Sequence, residues 1–327
     1  MLLFRGKNMN INDEILKLDW KREPYGLYEP IEYTLAAGGK RVRPQLAMIA
    51  SQMFEGKKED VLPAALALEV FHNFTLLHDD VMDKAEVRRG RATVHIKWNE
   101  NTAILSGDQM IIEAYKLLAE VPANKLAKVL KMFNQMGTEI CEGQQYDVDF
   151  ESQKEVSIEE YLKMIRLKTA VLLANALKMG AYIAGANDEQ QEMLYEFGIH
   201  IGLAFQIQDD ILDVWGNPET FGKAVGGDIS CNKKTFVYLE TKRLLGDKAR
   251  GDKAMRLEEW YSQVLEDNTE KIAAVKEIFE QLGVRSACEK VVDEYTQAAL
   301  DILEKLPQNE ATEQLRKLAS KLHSRRV

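Results

Sequence analysis

The sequence predicts an all-α fold, and three observations carry that prediction. Apolar residues recur at i, i+3, i+4 and i+7 over long spans, the period of helices buried along one face. The hairpin dipeptides Asn-Gly and Asp-Gly are absent. Only seven prolines interrupt 327 residues.

Helices are expected at about 10–19, 25–37, 42–54, 60–84, 101–119, 123–148, 157–182, 188–214, 233–246, 250–264, 268–304 and 309–324. Gly38-Gly39, Gly56, Arg89-Gly90-Arg91, Val121-Pro122, Gly185-Ala186-Asn187, Gly216-Asn217-Pro218 and Leu306-Pro307 mark breaks between them. Ser157 followed by Glu160 forms a capping-box pattern at the start of one helix. The stretches 60–84 and 188–214 are apolar on more than one face, as central buried helices are. No linker rich in Pro, Gly or Ser divides the chain, so residues 1–327 are expected to form a single large helical domain, with 1–8 an extension outside it.

Composition narrows the function classes. The chain is 46% hydrophobic, 29% charged and carries a net charge of −9, with no long basic stretch, so a nucleic-acid partner is not expected. Cys141, Cys231 and Cys288 are far apart, odd in number and without CxxC spacing, which suits a reducing cytoplasm better than a disulfide scaffold or a zinc site. The apolar start Met1-Leu2-Leu3-Phe4 is too short for a signal peptide, and no apolar run approaches the ~20 residues of a membrane span.

The chemistry is concentrated in two copies of one acidic box, Asp79-Asp80-Val81-Met82-Asp83 and Asp209-Asp210-Ile211-Leu212-Asp213. On a helix, i and i+4 share a face, while i+1 lies about 100° round from i. Carboxylates so close repel one another unless cations lie between them. Each box follows an apolar run, which suggests a metal site at the mouth of an apolar cavity. Behind the first box stand Arg88, Arg89 and Arg91, which a break near Gly90 would let fold back. Mg²⁺ typically uses one or two carboxylates plus substrate phosphate oxygens, and guanidinium forks match phosphate geometry.

Other pieces point the same way. Gly38-Gly39-Lys40-Arg41-Val42-Arg43-Pro44 joins a glycine turn to a basic helix start, where free N–H groups also favour anions. His72 lies two helical turns before Asp79 on the same face. Glu69 and His72 also spell Glu-x-x-His, but a di-iron bundle needs a second such motif and two further Glu, and no suitably placed second copy exists. Gln144 and Asp147 lie about one turn apart, Lys168-Thr169 interrupts an apolar helix, and Gln206 sits just before the second box. Gly222-Lys223, Asp228 and Asn232-Lys233 then form a glycine- and lysine-bearing loop able to close over a phosphate.

Taken together, from about Tyr33 to Lys234, the motifs GGKRVRP, DDVMD with RRG behind it, GQQYD, KT, FQIQDDILD and GK…D…NK resemble the trans-isoprenyl diphosphate (polyprenyl) synthases in order and spacing. The resemblance implies the all-α isoprenoid synthase bundle with a central apolar cavity, a homodimer, and condensation of isopentenyl diphosphate with an allylic diphosphate. It implies three Mg²⁺ per site on Asp79, Asp80, Asp83, Asp209, Asp210 and Asp213, with Asp147 and Gln144 lining the same site. By the same resemblance Arg88, Lys168, Lys223 and Lys233 bind the allylic diphosphate. Lys40, Arg43, His72 and Arg89 bind isopentenyl diphosphate, and Thr169 and Gln206 stand near the developing cation. Gly226-Gly227 makes the loop between Lys223 and Asp228 one residue longer than in many farnesyl synthases.

Product length is expected to depend on cavity depth. Phe74 precedes Asp79 by five residues, roughly 7.5 Å deeper along the helix at 1.5 Å per residue. An aromatic there acts as a floor, while Thr75 beside it is small. In the resembling family, an aromatic at this place without a two-residue insertion in the first box implies a C20 or C15 product, with geranylgeranyl preferred over farnesyl. A class I terpene cyclase would carry a different second metal motif and need no GGKRVRP. A non-catalytic subunit would lack the intact boxes.

Overall fold

A computed structural model describes residues 11–217, 225–246 and 251–323, with the backbone alone at 322 and 323. The helices are α1 (Ile11–Leu16), α2 (Tyr25–Ala36), α3 (Val42–Met53), α4 (Lys58–Met82), α5 (Val94–Lys97), α6 (Glu100–Leu118), α7 (Ala123–Ser152), α8 (Ile158–Ile165), α9 (Val171–Ile183) and α10 (Asp188–Trp215). After them come α11 (Gly227–Ser230), α12 (Phe236–Leu245), α13 (Asp252–Tyr261), α14 (Thr269–Gln281), α15 (Val284–Leu303) and α16 (Glu310–His323). The one sheet among the described residues is an antiparallel pair, β1 (Val87–Arg88) and β2 (Arg91–Ala92). The expected all-α class is therefore what the chain adopts.

The chain packs as two compact units. The first holds the chain up to Asn134 together with 175–195 and 307–312. Its centre is α4, packed on α3 and α6. Ala64, Ala65 and Ala67 expose nothing, and their small side chains let those neighbours approach. By length and composition α4 could span a membrane, contrary to the expectation that no run comes near that length. Most of that stretch is buried within the protein, as in the core helix of a globular unit. Edge-on aromatic contacts run from Tyr115 to Phe133, from Phe133 to Phe71, from Phe71 to Phe74 and from Phe74 to His78, with centroids 4.9–5.3 Å apart.

The second unit holds 135–174, 196–306 and the chain from Glu313 onward. In it α10 buries Ile199, Leu203, Ile207, Ile211 and Val214, so the second acidic box grows from the end of an apolar helix. α15 packs on α12 and on α14, and α14 packs also on α13 and on the short α11.

Three local departures from the sequence reading have physical causes. The stretch 87–92 is a hairpin whose turn residues Arg89 and Gly90 both have positive φ, 53° and 73°, the type I′ pattern that Asn-Gly normally announces. The expected helix 268–304 is two helices, divided where Gly283 takes φ 67°. The expected helix 157–182 starts at the Ser157–Glu160 capping box as read, but widens into a π-helical turn at Arg166–Ala170. Residues 1–8 and the ending 324–327 lie outside the described residues.

Backbone proximity around Gly180 gives a stability test. A Cβ added there would fall inside van der Waals range of the Ala47 carbonyl, whereas one added at Gly26 meets nothing within 4 Å. Gly180→Ala is expected to destabilise the protein by about 1–3 kcal/mol through overpacking. Gly26→Ala is expected to be neutral or to stabilise by up to about 1 kcal/mol through helix propensity. Paired urea titrations of the two variants check the contrast.

Candidate active site

In the first unit the glycine turn, α4 and the hairpin bring arginines together. Arg41 caps α3 in a left-handed conformation, φ 47°, and its side chain points inward. Its guanidinium donates to Glu69 Oε1 at 2.6 Å, to the Leu35 carbonyl at 2.5 Å and to Asn12 Oδ1 at 2.9 Å. Glu69 of the Glu-x-x-His string is thus the buried partner of a structural cation. The Arg41–Glu69 pair fixes the turn on α4, and Lys40 and Arg43 flank it in sequence, Lys40 exposed and Arg43 half-buried.

Arg89 reaches back across the hairpin and donates to the Gly38 carbonyl. Gly39 has φ 140°, a backbone conformation that favours glycine, and a Cβ there would sit 3.0 Å from the Arg89 guanidinium carbon and press on it. Arg88 donates through Nε to Asp80 Oδ1 at 2.7 Å. The break at Gly90 does fold the arginines back, as its position behind the box suggested.

His72 stands among these cations. Burial, and then the charges of Arg43, Arg89, Arg88 and Arg41, hold its imidazole well below its ordinary pKa, so it is neutral. Burial lowers Arg43 to about 10, with Glu69 opposing and Arg89 adding to the fall. Its Nε is buried without a hydrogen-bond partner. Four guanidiniums stand around one neutral ring, and the ion pairs among them are Arg41 with Glu69 and Arg88 with Asp80, so the cluster is rich in positive charge. Such a cluster recruits an anion.

The three carboxylates of the first box divide by position. Asp79 is half-buried, Asp83 is exposed, and both lie on one helix face. Asp80 is only 4% exposed and faces inward to Arg88. Burial raises its pKa, and Arg88 opposes the rise. Phe74 is half-buried between Phe71 and His78, and Thr75 spends its hydroxyl on the His72 carbonyl at 2.8 Å.

The second unit repeats the division. Asp210 is 3% exposed and accepts from Tyr161 Oη at 2.6 Å, from the Phe236 backbone N–H at 3.1 Å and from Gln206 Nε2 at 3.4 Å. Burial and the charge of Asp228 push its carboxyl well above the usual range. Asp209 and Asp213 are half-buried. Asp213 is gripped by the loop that follows: its Oδ2 accepts from the Asp228 N–H at 3.0 Å and its carbonyl from the Gly226 N–H at 2.6 Å. The additional glycine noted in the sequence serves this turn, since Gly226 has φ 87° and Gly227 comes close against the Asp213 carboxylate.

Lys168 and Thr169 sit in the π turn, where one widened helical turn re-aims side chains. Lys168 Nζ donates to Asp147 Oδ2 at 2.5 Å, and Thr169 Oγ1 to Gln206 Oε1 at 3.4 Å. Gly143 allows α7 to lie against the Lys168 backbone, and Gly202 allows α10 to lie against Ala170. Gln144 is half-buried on α7, and Lys233 is exposed beyond α11. Lys223 lies outside the described residues. Among the described residues no three His, Cys, Asp or Glu converge on one point as a self-sufficient metal cage.

A family model described as polyprenyl synthetase matches residues 24–282. The chain belongs to that family. As a member it is a prenyltransferase. It is 44% identical over 230 residues to a geranylgeranyl diphosphate synthase of Methanosarcina mazei, covering 69% of this chain and 70% of that protein. A geranylfarnesyl diphosphate synthase of Natronomonas pharaonis is 36% identical over 322 residues, 93% of this chain and 91% of its own. A crystal structure of a geranylgeranyl pyrophosphate synthase superposes with a TM-score of 0.89 at 46% identity, covering 97% of this chain and 96% of that one.

Sequence reading missed Glu69 as the partner of Arg41, and Tyr161 and the Phe236 amide as the holders of Asp210. No spacing announces them, because each pairing joins distant segments of the chain.

The depressed imidazole makes a pH prediction. Unfolded His72 takes up a proton near pH 6.5, while in the folded protein it does so only at much lower pH. Its contribution to stability is complete above pH 6.5 and is lost as pH falls. The slope is at most about 1.4 kcal/mol per pH unit for one proton. Thermal midpoints from pH 7.5 to 5.0 should fall less steeply for His72→Gln than for the parent. Parallel curves would contradict the buried neutral assignment.

Proposed function

We propose that the protein condenses isopentenyl diphosphate head-to-tail with an allylic diphosphate (dimethylallyl, geranyl or farnesyl), in a Mg²⁺-dependent reaction giving a short prenyl diphosphate, C20 in preference to C15. The observation that carries this reading is the arginine cluster around neutral His72 beside an intact aspartate box. A terpene cyclase has one diphosphate to hold and no use for this second anion site.

Lys40, Arg43, His72 and Arg89 hold isopentenyl diphosphate. Arg88, Lys168, Lys223 and Lys233 hold the allylic diphosphate, with Gln144 alongside. Asp79, Asp83, Asp209 and Asp213 would hold Mg²⁺, with Asp80, Asp210 and Asp147 completing the expected metal set, three ions per site by family resemblance. The inward Asp80 and Asp210 fix the two boxes, and Asp147 orients Lys168 while offering its second oxygen. When bound, Mg²⁺ neutralises the leaving diphosphate as a Lewis acid. The lysines and arginines add positive charge where the leaving group becomes negative. The oxygens of Thr169 and Gln206 face the allylic carbon as it becomes cationic. The departed diphosphate then takes the proton lost from the condensed chain, so no side chain acts as base.

Exposed apolar side chains on α6, Ile104, Leu105, Ile112 and Tyr115, support a homodimer. Three free cysteines support a cytoplasmic setting. The whole chain acts as one isoprenoid-synthase-like domain.

Phe74, in its aromatic row, sets the floor for the growing chain, with Thr75 offering no block of its own. Purified protein given Mg²⁺, isopentenyl diphosphate and each primer should yield mainly C20 by mass spectrometry. Phe74→Ala should move most of the product to C25 or longer. An unchanged distribution removes Phe74 from this role, and no consumption of isopentenyl diphosphate with any primer sinks the synthase reading.

A further inference from the structure

Lys271 is a buried cation for which the proposed reaction has no use. It stands in the first turn of α14, and the residue exposes 0% of its surface. Both features are unfavourable: a helix start repels positive charge, and burial strips the ammonium of water. Among the described residues its hydrogen-bond partners are neutral oxygens, Asn232 Oδ1 at 2.5 Å and the Gln263 carbonyl at 2.9 Å. No carboxylate forms an ion pair with it there.

What it holds is the loop between the second acidic box and α12. Asn232 is fixed at both ends of its amide, since its Nδ2 donates to the Gln263 carbonyl at 2.9 Å while its Oδ1 accepts from Lys271. Its backbone is left-handed, φ 57°, and turns the chain at the end of α11. The next residue, Lys233, donates its N–H to the Asp228 carbonyl at 2.9 Å, and Asp228 in turn donates its own N–H to Asp213. A side contact repeats the attachment, because Gly226 lies against Ile272, the neighbour of Lys271. Hydrogen bonds, with the Asn232–Lys233 peptide bond between them, therefore link Lys271 through Asn232, Lys233 and Asp228 to Asp213.

We infer that Lys271 is a positioning residue that clamps the loop 225–233 to α14 and so sets where Lys233 and Asp213 present themselves to the allylic diphosphate. The inference rests on the synthase reading for its kinetic consequence, but the clamp itself does not. An ammonium on a four-carbon stem can direct several N–H groups to neutral acceptors at once. Lysine at this place ties two distant segments by one side chain.

The test uses Lys271→Met, Lys271→Arg and Asn232→Gly, the last keeping the left-handed backbone while removing the amide. Hydrogen exchange should rise at least tenfold at the Asp228 and Lys233 amides in Lys271→Met and Asn232→Gly. The KM for the allylic diphosphate should rise at least tenfold while that for isopentenyl diphosphate stays within twofold. Lys271→Arg should restore part of both. The double variant should be no worse than either single one, because both cut the same tie. If Lys271→Met does not fold, Asn232→Gly carries the test alone. Unchanged exchange in a folded variant overturns the clamp, as does an equal rise in both KM values. A parent protein that consumes no isopentenyl diphosphate defeats the synthase reading, and the exchange data still decide the clamp.

Discussion

Like charge gathered where the fold does not neutralise it is the constraint on which this protein depends. Arg41, Arg43, Arg88 and Arg89 stand around one imidazole, and burial first, then their charge, keeps it unprotonated. Each aspartate box places carboxylates a single helical turn apart. Folding keeps both arrangements tolerable by giving particular members an inward partner. Arg41 goes to Glu69, Asp80 to Arg88, and Asp210 to Tyr161 and the Phe236 amide. The charge that remains is what a diphosphate and its metal ions would neutralise.

The two boxes reach the same division by different means. A guanidinium satisfies the inner carboxylate of the first, and a phenol with a backbone amide satisfies that of the second. The difference has an electrostatic consequence. Asp80 feels an opposing cation that offsets part of its desolvation, whereas Asp210 has only neutral donors and the nearby charge of Asp228. Glycines then set the distances. Gly39 leaves room for the Arg89 guanidinium, and Gly143 and Gly202 bring α7 and α10 against the π turn that carries Lys168 and Thr169.

Much of this was legible in the sequence where one segment suffices. The period of α4 and α10, the glycine turn before Lys40, the capping box at Ser157 and the placement of both boxes are local patterns. The hairpin at 87–92 was not, because an arginine in a left-handed turn contradicts its own preference and is held there by the contact to Gly38. The break at Gly283 was hidden because a single glycine inside a strong helical period is ordinarily tolerated. Lys271 was hidden more thoroughly. In the run Glu270-Lys271-Ile272 it reads as a solvent-facing lysine, and only the loop from another part of the chain reveals it as enclosed.

Positive charge in the first unit is expected to bind an anion by itself, while the aspartate boxes bind one only through metal ions. Titration calorimetry with isopentenyl diphosphate, and separately with a non-ionising thio analogue of an allylic diphosphate, each with Mg²⁺ and with a chelator, tests this most directly. The account predicts that removing Mg²⁺ changes the affinity for isopentenyl diphosphate by less than about threefold and weakens the allylic analogue by at least about a hundredfold, the ~2.7 kcal/mol that such a ratio represents. Equal dependence of both ligands on Mg²⁺, or independence of both, would contradict it.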